Sequence, residues 1–185
     1  GRFHILDYPM EELTTYHIIS GAIKKKDSAR WEGIKRNSLE NEGFNKLISR
    51  LTLNEGSAIK EAIKNVFPIH PYTAYLATFV ARNIGSTERS IFNFLYDEEQ
   101  GFLKFIKENP GDDLNRTEYF LTADHLWDFF LGEFENSEQG KFGAVISRYK
   151  YYKGELEKKG PKYLAVFKGI LLLNILTQIT RTRES

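Results

Sequence analysis

An all-α fold is predicted for this chain, and three observations predict it. Apolar residues recur at three- and four-residue spacings in one segment after another, as in helices that each bury one face. Capping residues, glycines and prolines separate these segments at the positions where helices start and stop. No alternating strand pair, Gly-rich hairpin or internal repeat interrupts them.

In chain order, Arg2-Phe3-His4-Ile5-Leu6-Asp7-Tyr8 reads as a short extended lead-in. Pro9 sits beside a helix start, and Glu11 and Glu12 favour the positive end of that helix's dipole. Leu13, Tyr16, Ile19 and Ile23 supply its apolar face, and Lys24-Lys25-Lys26 closes its last turn. From Asp27 to Asn41 the pattern is polar and interrupted, with Trp31 and Ile34 as the sizeable anchors. Phe44, Leu47, Ile48 and Leu51 mark a second helix. Ser57 is the expected cap of a short third, carrying Ile59, Ile63, Val66 and Phe67.

Pro68-Ile69-His70-Pro71 reads as a rigid elbow, with Pro71 in the first turn of the next helix, where its missing N–H costs nothing. That helix is expected to end at Gly85. The next, capped by Ser86 or Thr87, is expected to run through Ile91, Phe94, Leu95, Phe102 and Ile106. Pro110-Gly111-Asp112-Asp113 ends the block. Thr122 and Asp124 resemble an N-cap followed by a first-turn acid, ahead of Leu126, Trp127, Phe129, Phe130 and Phe134. A charged helix is expected from about Ser137 to Lys158, and Gly160-Pro161 breaks it. The apolar run from Tyr163 to Ile179, interrupted by Lys168, Asn174 and Gln178, falls short of a membrane span and reads as a central core helix.

The 185 residues, 41% of them hydrophobic, suffice for one sizeable core or for two small helical subdomains sharing an interface. A net charge of +1, from 26 basic and 25 acidic residues, gives no overall electrostatic footprint for nucleic acid, although it allows a local patch. The absence of cysteine excludes disulfides, zinc–thiolate sites and cysteine nucleophiles, and fits a reducing, cytoplasmic setting. The first residues lack the basic and apolar regions of a signal peptide, and no membrane association is expected. Because the chain opens on Gly1 rather than Met, it reads as part of a longer protein.

A search for chemistry finds no complete site. There is no Gly-x-x-x-x-Gly-Lys-Ser/Thr phosphate loop and no Gly-x-Gly-x-x-Gly run. The histidines at 4, 17, 70 and 125 show no metal-ligand pairing. Asp97-Glu98-Glu99 and Asp112-Asp113 read as solvated acidic turns, so no metal is assigned. Ser20, His17 and Asp27 are the residue types of a hydrolase triad but lack a nucleophile elbow, and no catalytic residue is assigned. His70, between two prolines, is a candidate loop or ligand contact, or else a ring that hydrogen-bonds within the elbow.

Four stretches carry a resemblance. Phe67-Pro-Ile-His-Pro-Tyr-Thr-Ala-Tyr-Leu76 and Ser86-Thr-Glu-Arg-Ser-Ile-Phe-Asn-Phe-Leu95 resemble a recurring pattern, approximately F-P-L-H-P-x-T-A-x-L-L and then N-E-R-T-L-F-x-F-L. The pattern is that of large bacterial ATP-binding proteins, P-loop ATPases of the AAA+ type, a group associated in part with defence against phage. Tyr119-Phe-Leu-Thr-Ala-Asp-His-Leu-Trp-Asp-Phe-Phe130 resembles their L-T-x-D-x-L-x-D-y-F stretch, and Leu171-Leu-Leu-Asn-Ile-Leu176 is similar to a later helix. Ser86-Thr87 departs from the usual Gln-Asn, and Phe79-Val-Ala replaces a Leu/Pro-rich run.

The resemblance implies that residues 1–66 follow an ATPase core and that residues 67–185 form a helical lid and extension. Arg2-Phe3 is similar to the Arg-Phe pair through which AAA+ chains leave the core, which implies Arg2 as an arginine finger. Arg89, with Glu88 beside it, is implied as the sensor-2 residue that contacts the nucleotide's terminal phosphate. The expected role is nucleotide sensing and interdomain coupling. ATP and Mg would be bound by the parent protein and no cofactor by this part alone; the partners would be the core and other copies in a homo-oligomer. Two other readings stay open: a winged-helix-like nucleic-acid-binding module using Arg148, Lys150, Tyr151 and Lys153, and a protein-interaction domain unconnected with an ATPase.

Overall fold

The computed structural model describes residues 12–40, 42–53, 56–83, 91–109, 120–137 and 141–183. Ten α-helices occur among the described residues: α1 (Glu12–Ala22), α2 (Ser28–Leu39), α3 (Glu42–Leu51), α4 (Ser57–Asn65), α5 (Pro71–Asn83), α6 (Ile91–Tyr96), α7 (Phe102–Glu108), α8 (Ala123–Glu135), α9 (Gly143–Lys159) and α10 (Pro161–Arg183). The all-α multi-helix bundle is therefore as the periodicity predicts, with no strand among the described residues. The expected extended lead-in at residues 2–8 lies outside them.

The centre of the bundle is α5. Between Pro71 and Val80 it carries no charged side chain, and Thr73, Ala74, Leu76, Ala77, Thr78 and Val80 are all buried. A helix that is apolar or small on nearly every side can be packed from every side. Accordingly α1, α3, α4, α6, α8 and α10 all contact α5. The Tyr163–Ile179 run, expected to be central, instead flanks the bundle within α10. Leu171, Leu172, Ile175 and Leu176 face inward, whereas Val166 is 64% and Ile170 52% exposed. Apolarity alone does not separate the two helices, since both look core-like by composition.

Several boundaries differ from the sequence expectation for local reasons. The polar stretch after Asp27 is a helix: the Asp27 carboxylate caps α2 by accepting the Arg30 amide at 3.0 Å. Lys35 ties α2 together through Glu32 at 2.7 Å and reaches Asn65 of α4 at 3.3 Å. The N-cap of α4 is Gly56, and Ser57 is already helical. The expected single helix through Ile91 and Ile106 is two, because Asp97 folds the chain between them. Its Oδ1 accepts the amides of Glu99, Gln100 and Gly101 at 2.9, 2.6 and 3.0 Å. A Cβ on Gly101 would lie 2.2 Å from the Phe94 carbonyl oxygen, so this turn requires glycine. The charged helix starts at Gly143 rather than near Ser137.

Aromatic side chains fill the half of the core built by α8, α9 and α10. Trp127 is fully buried and packs on Tyr149 at 5.1 Å and on Phe134 at 5.3 Å between ring centroids. Gly160, at φ +125°, breaks α9 from α10 in a conformation that side chains disfavour, and Pro161 opens α10.

One ion pair locks α10 to α8: Lys168 Nζ lies 2.7 Å from Asp128 Oδ2, and the lysine side chain is only 11% exposed. Removing the carboxylate strands a nearly buried ammonium, whereas removing both partners does not. Asp128→Ala is expected to lower stability by about 1–3 kcal/mol in urea denaturation. Adding Lys168→Met to it restores most of that loss.

Candidate functional site

The elbow predicted at residues 68–71 is where the resemblance is most specific, and it is built by two distant parts of the chain. Ile69 and Leu121 form an isolated parallel bridge. The Leu121 amide donates to the Pro68 carbonyl at 2.9 Å, and the His70 amide donates to the Leu121 carbonyl at 3.0 Å. The Phe67–Pro68 peptide is cis. The segment enters α5 through Pro71, whose lack of an N–H suits the first turn.

His70 serves this elbow directly. Its Nδ1 accepts the Tyr72 amide at 3.2 Å, so the imidazole caps the start of α5 as an Asn or Asp side chain would. The ring packs against Phe44 at 5.3 Å and edge-on to Phe120 at 5.4 Å between centroids. Burial among these rings lowers the imidazole pKa from 6.5 to about 4. The ring is therefore neutral at pH 7. With Nδ1 accepting, its proton sits on Nε2.

Beside the elbow lies a groove of about 510 Å³ formed where α5, α8 and α10 begin. Ala165, Val166, Gly169, Ile170 and Leu173 of α10 make one wall, and His70, Tyr72 and Thr73 contribute another. Thr122, Asp124 and Lys162 supply polar groups at its edge. The Thr122 hydroxyl donates to the Asp124 carboxylate and makes no backbone cap bond. A mostly apolar cleft with a few polar groups suits binding of an apolar body. At this site the His70 ring is neutral and its Nδ1 is already engaged by the Tyr72 amide. Sequence reading singled out His70 but missed the α10 wall. Its signal was a second apolar stripe, Tyr163, Val166, Ile170 and Leu173, beside the buried one.

The other sequence candidates fall apart or fall outside. Arg2, Glu88 and Arg89 lie outside the described residues, as do Asp112 and Asp113. Ser20 donates to the His17 backbone carbonyl at 3.1 Å and Asp27 caps α2, so the three triad residue types do separate jobs. Asp97 is occupied by the amides of its own turn. On α9, Lys150 pairs with Glu135 at 2.8 Å. Lys153 reaches Glu157 at 3.8 Å and lies over the Tyr149 ring at 5.8 Å. Arg148 is exposed, as is Tyr151, which meets Tyr152 edge-on at 4.7 Å.

No family model, no curated protein and no solved structure matches this chain. Among the described residues no cluster of three or more acidic or histidine side chains could hold a metal ion, and no helix is long and apolar enough to cross a membrane.

The His70 ring carries a pH dependence of known sign. The unfolded chain protonates it near 6.5, the folded chain only near 4, so between those values unfolding takes up a proton. The stability tied to the neutral ring is complete above about pH 6.5 and is lost as pH falls toward 4. At pH 5 the loss amounts to roughly 2 kcal/mol. Denaturation at pH 7 and pH 5 should show this extra loss in the wild type and not in His70→Asn, whose side-chain oxygen can still accept the Tyr72 amide.

Proposed function

We propose that this chain is the helical lid and nucleotide-sensing, interdomain-coupling part of a larger AAA+-like ATPase, with no catalytic site of its own. The observation that supports this reading is spatial. Two of the stretches that carry the resemblance touch the third, residues 119–130, and the helix that contains the fourth packs on the same α8. Pro68 and His70 pair with Leu121, Phe94 packs on Phe129 at 5.4 Å, and the α10 helix containing Leu171–Leu176 packs on α8. Motif residues that co-operate in building one rigid frame are what a lid needs, because a lid transmits a change at its nucleotide-facing edge only if it moves as a body.

On this reading the ATPase core supplies the phosphate loop, ATP and Mg, and Arg89 contacts the terminal phosphate, with Glu88 as its neighbour. Arg2 reaches the nucleotide of an adjacent subunit. Closure then reports whether ATP or ADP is bound, since only ATP offers the further contact. The α9 basic residues do not favour the nucleic-acid alternative, because Lys150 and Lys153 both have carboxylate neighbours. In the full-length parent protein, Arg89→Ala is expected to slow ATP turnover about tenfold or more without altering the melting curve. Unchanged turnover removes Arg89 from the sensor role, and a parent protein that hydrolyses no ATP overturns the reading as a whole.

A further inference from the structure

A second groove, of about 630 Å³, opens between the α1–α2 turn and α7. Ile23, Trp31 and Ile34 line it from one side and Phe102, Leu103 and Ile106 from the other. Along its rim stand Lys24, Lys25, Lys26 and Arg30, and Tyr96, 64% exposed, lies at its α6 end. The acid among the lining residues, Asp27, already accepts the Arg30 amide at 3.0 Å. Lys25 leans toward Glu32 at 3.7 Å, which itself pairs more closely with Lys35 at 2.7 Å. Lys24 and Lys26 are exposed and make no ion pair among the described residues. The lysines follow the C-terminus of α1, where cations suit the helix dipole. What the dipole does not account for is an apolar trough beside them.

We propose that this groove docks an acidic amphipathic segment of a partner protein, with apolar side chains in the trough and carboxylates against Lys24 and Lys26. Charge and shape together select this occupant. A cationic rim along an apolar floor complements a segment with one apolar and one acidic face, in the way amphipathic helices enter grooves elsewhere. The floor is recessed, with Ile34 and Phe102 each 6% exposed, which suits inserted side chains better than a lipid surface. The Trp31 ring is engaged edge-to-face with Phe67 at 5.1 Å, and most of the remaining floor is aliphatic, so stacked bases find little to rest on. The proposal is independent of the ATPase reading.

The test is fluorescence anisotropy of the chain with a fluorescein-labelled peptide in which Leu and Glu alternate at helical spacing. Binding is expected, weakening with added salt. The double variant Lys24→Glu/Lys26→Glu should weaken it about tenfold or more, and Leu103→Ser about fivefold, with circular dichroism verifying that each stays folded. Two control peptides, one with Ser for Leu and one with Lys for Glu, should each bind at least about tenfold more weakly. The proposal is overturned if the peptide does not bind, if both folded variants bind it as the wild type does, or if either control matches it. Tighter binding of single-stranded DNA or of anionic phosphatidylserine vesicles than of the acidic peptide overturns it equally.

Discussion

The pairing of Pro68 and His70 with Leu121 is the constraint on which the rest of this fold depends. Two backbone hydrogen bonds fix where α5 begins relative to α8, and α5 is the helix that most of the bundle packs against. The bridge is enclosed rather than exposed: Phe67, Ile69 and Leu121 are buried, and Phe44, Phe120 and the His70 ring close over it. Inside such an enclosure backbone polar groups must find partners, which makes the pairing obligatory once the aromatic rings have excluded water. His70 contributes twice, through its main chain to Leu121 and through its ring to the Tyr72 amide.

From this frame the two grooves follow as consequences of how helix ends are arranged. Where α5, α8 and α10 begin together, the outward stripe of α10 and the elbow leave an apolar cleft with few polar groups. Where α1 ends and α2 turns back against α7, lysines at the end of one helix overlook apolar side chains from two others. The first cleft is nearly neutral and the second is cationic, so the two faces suit partners of different chemistry.

Legibility in the sequence varied with how local the determining physics was. The helices with plain periodicity, α3 and α8, and the Gly160-Pro161 break could be read directly, because each is decided within a few turns, whereas α1 ends at Ala22, ahead of the Lys24–Lys26 turn expected to close it. The α2 helix was hidden because its apolar face is sparse, Trp31, Ile34 and Leu39 among polar residues, and because the Asp27 carboxylate cap that starts it gives no periodic signal. The split between α6 and α7 was hidden because the Asp97 turn needs three amides and a close approach at Gly101 that no spacing rule reveals. Which of two apolar helices is central is a tertiary question: α5 and α10 look alike by composition, and only packing shows that α10 keeps an exposed stripe. For the candidate site, flanking prolines drew attention to His70, but its partners Phe120 and Leu121 lie far along the chain. Arg2, Glu88 and Arg89, which came from the resemblance, lie outside the described residues.

The most direct measurement of the central claim is native-state hydrogen exchange at the amides of His70 and Leu121. If their pairing holds the frame together, both amides exchange only through global unfolding, at the slow rate set by the most protected positions of α5 and α8. Exchange at these two amides faster than the α5 and α8 core by about a hundredfold or more would mean that the elbow opens while the bundle stays folded. Helix packing alone would then hold the frame, contradicting the role assigned to the bridge between Ile69 and Leu121.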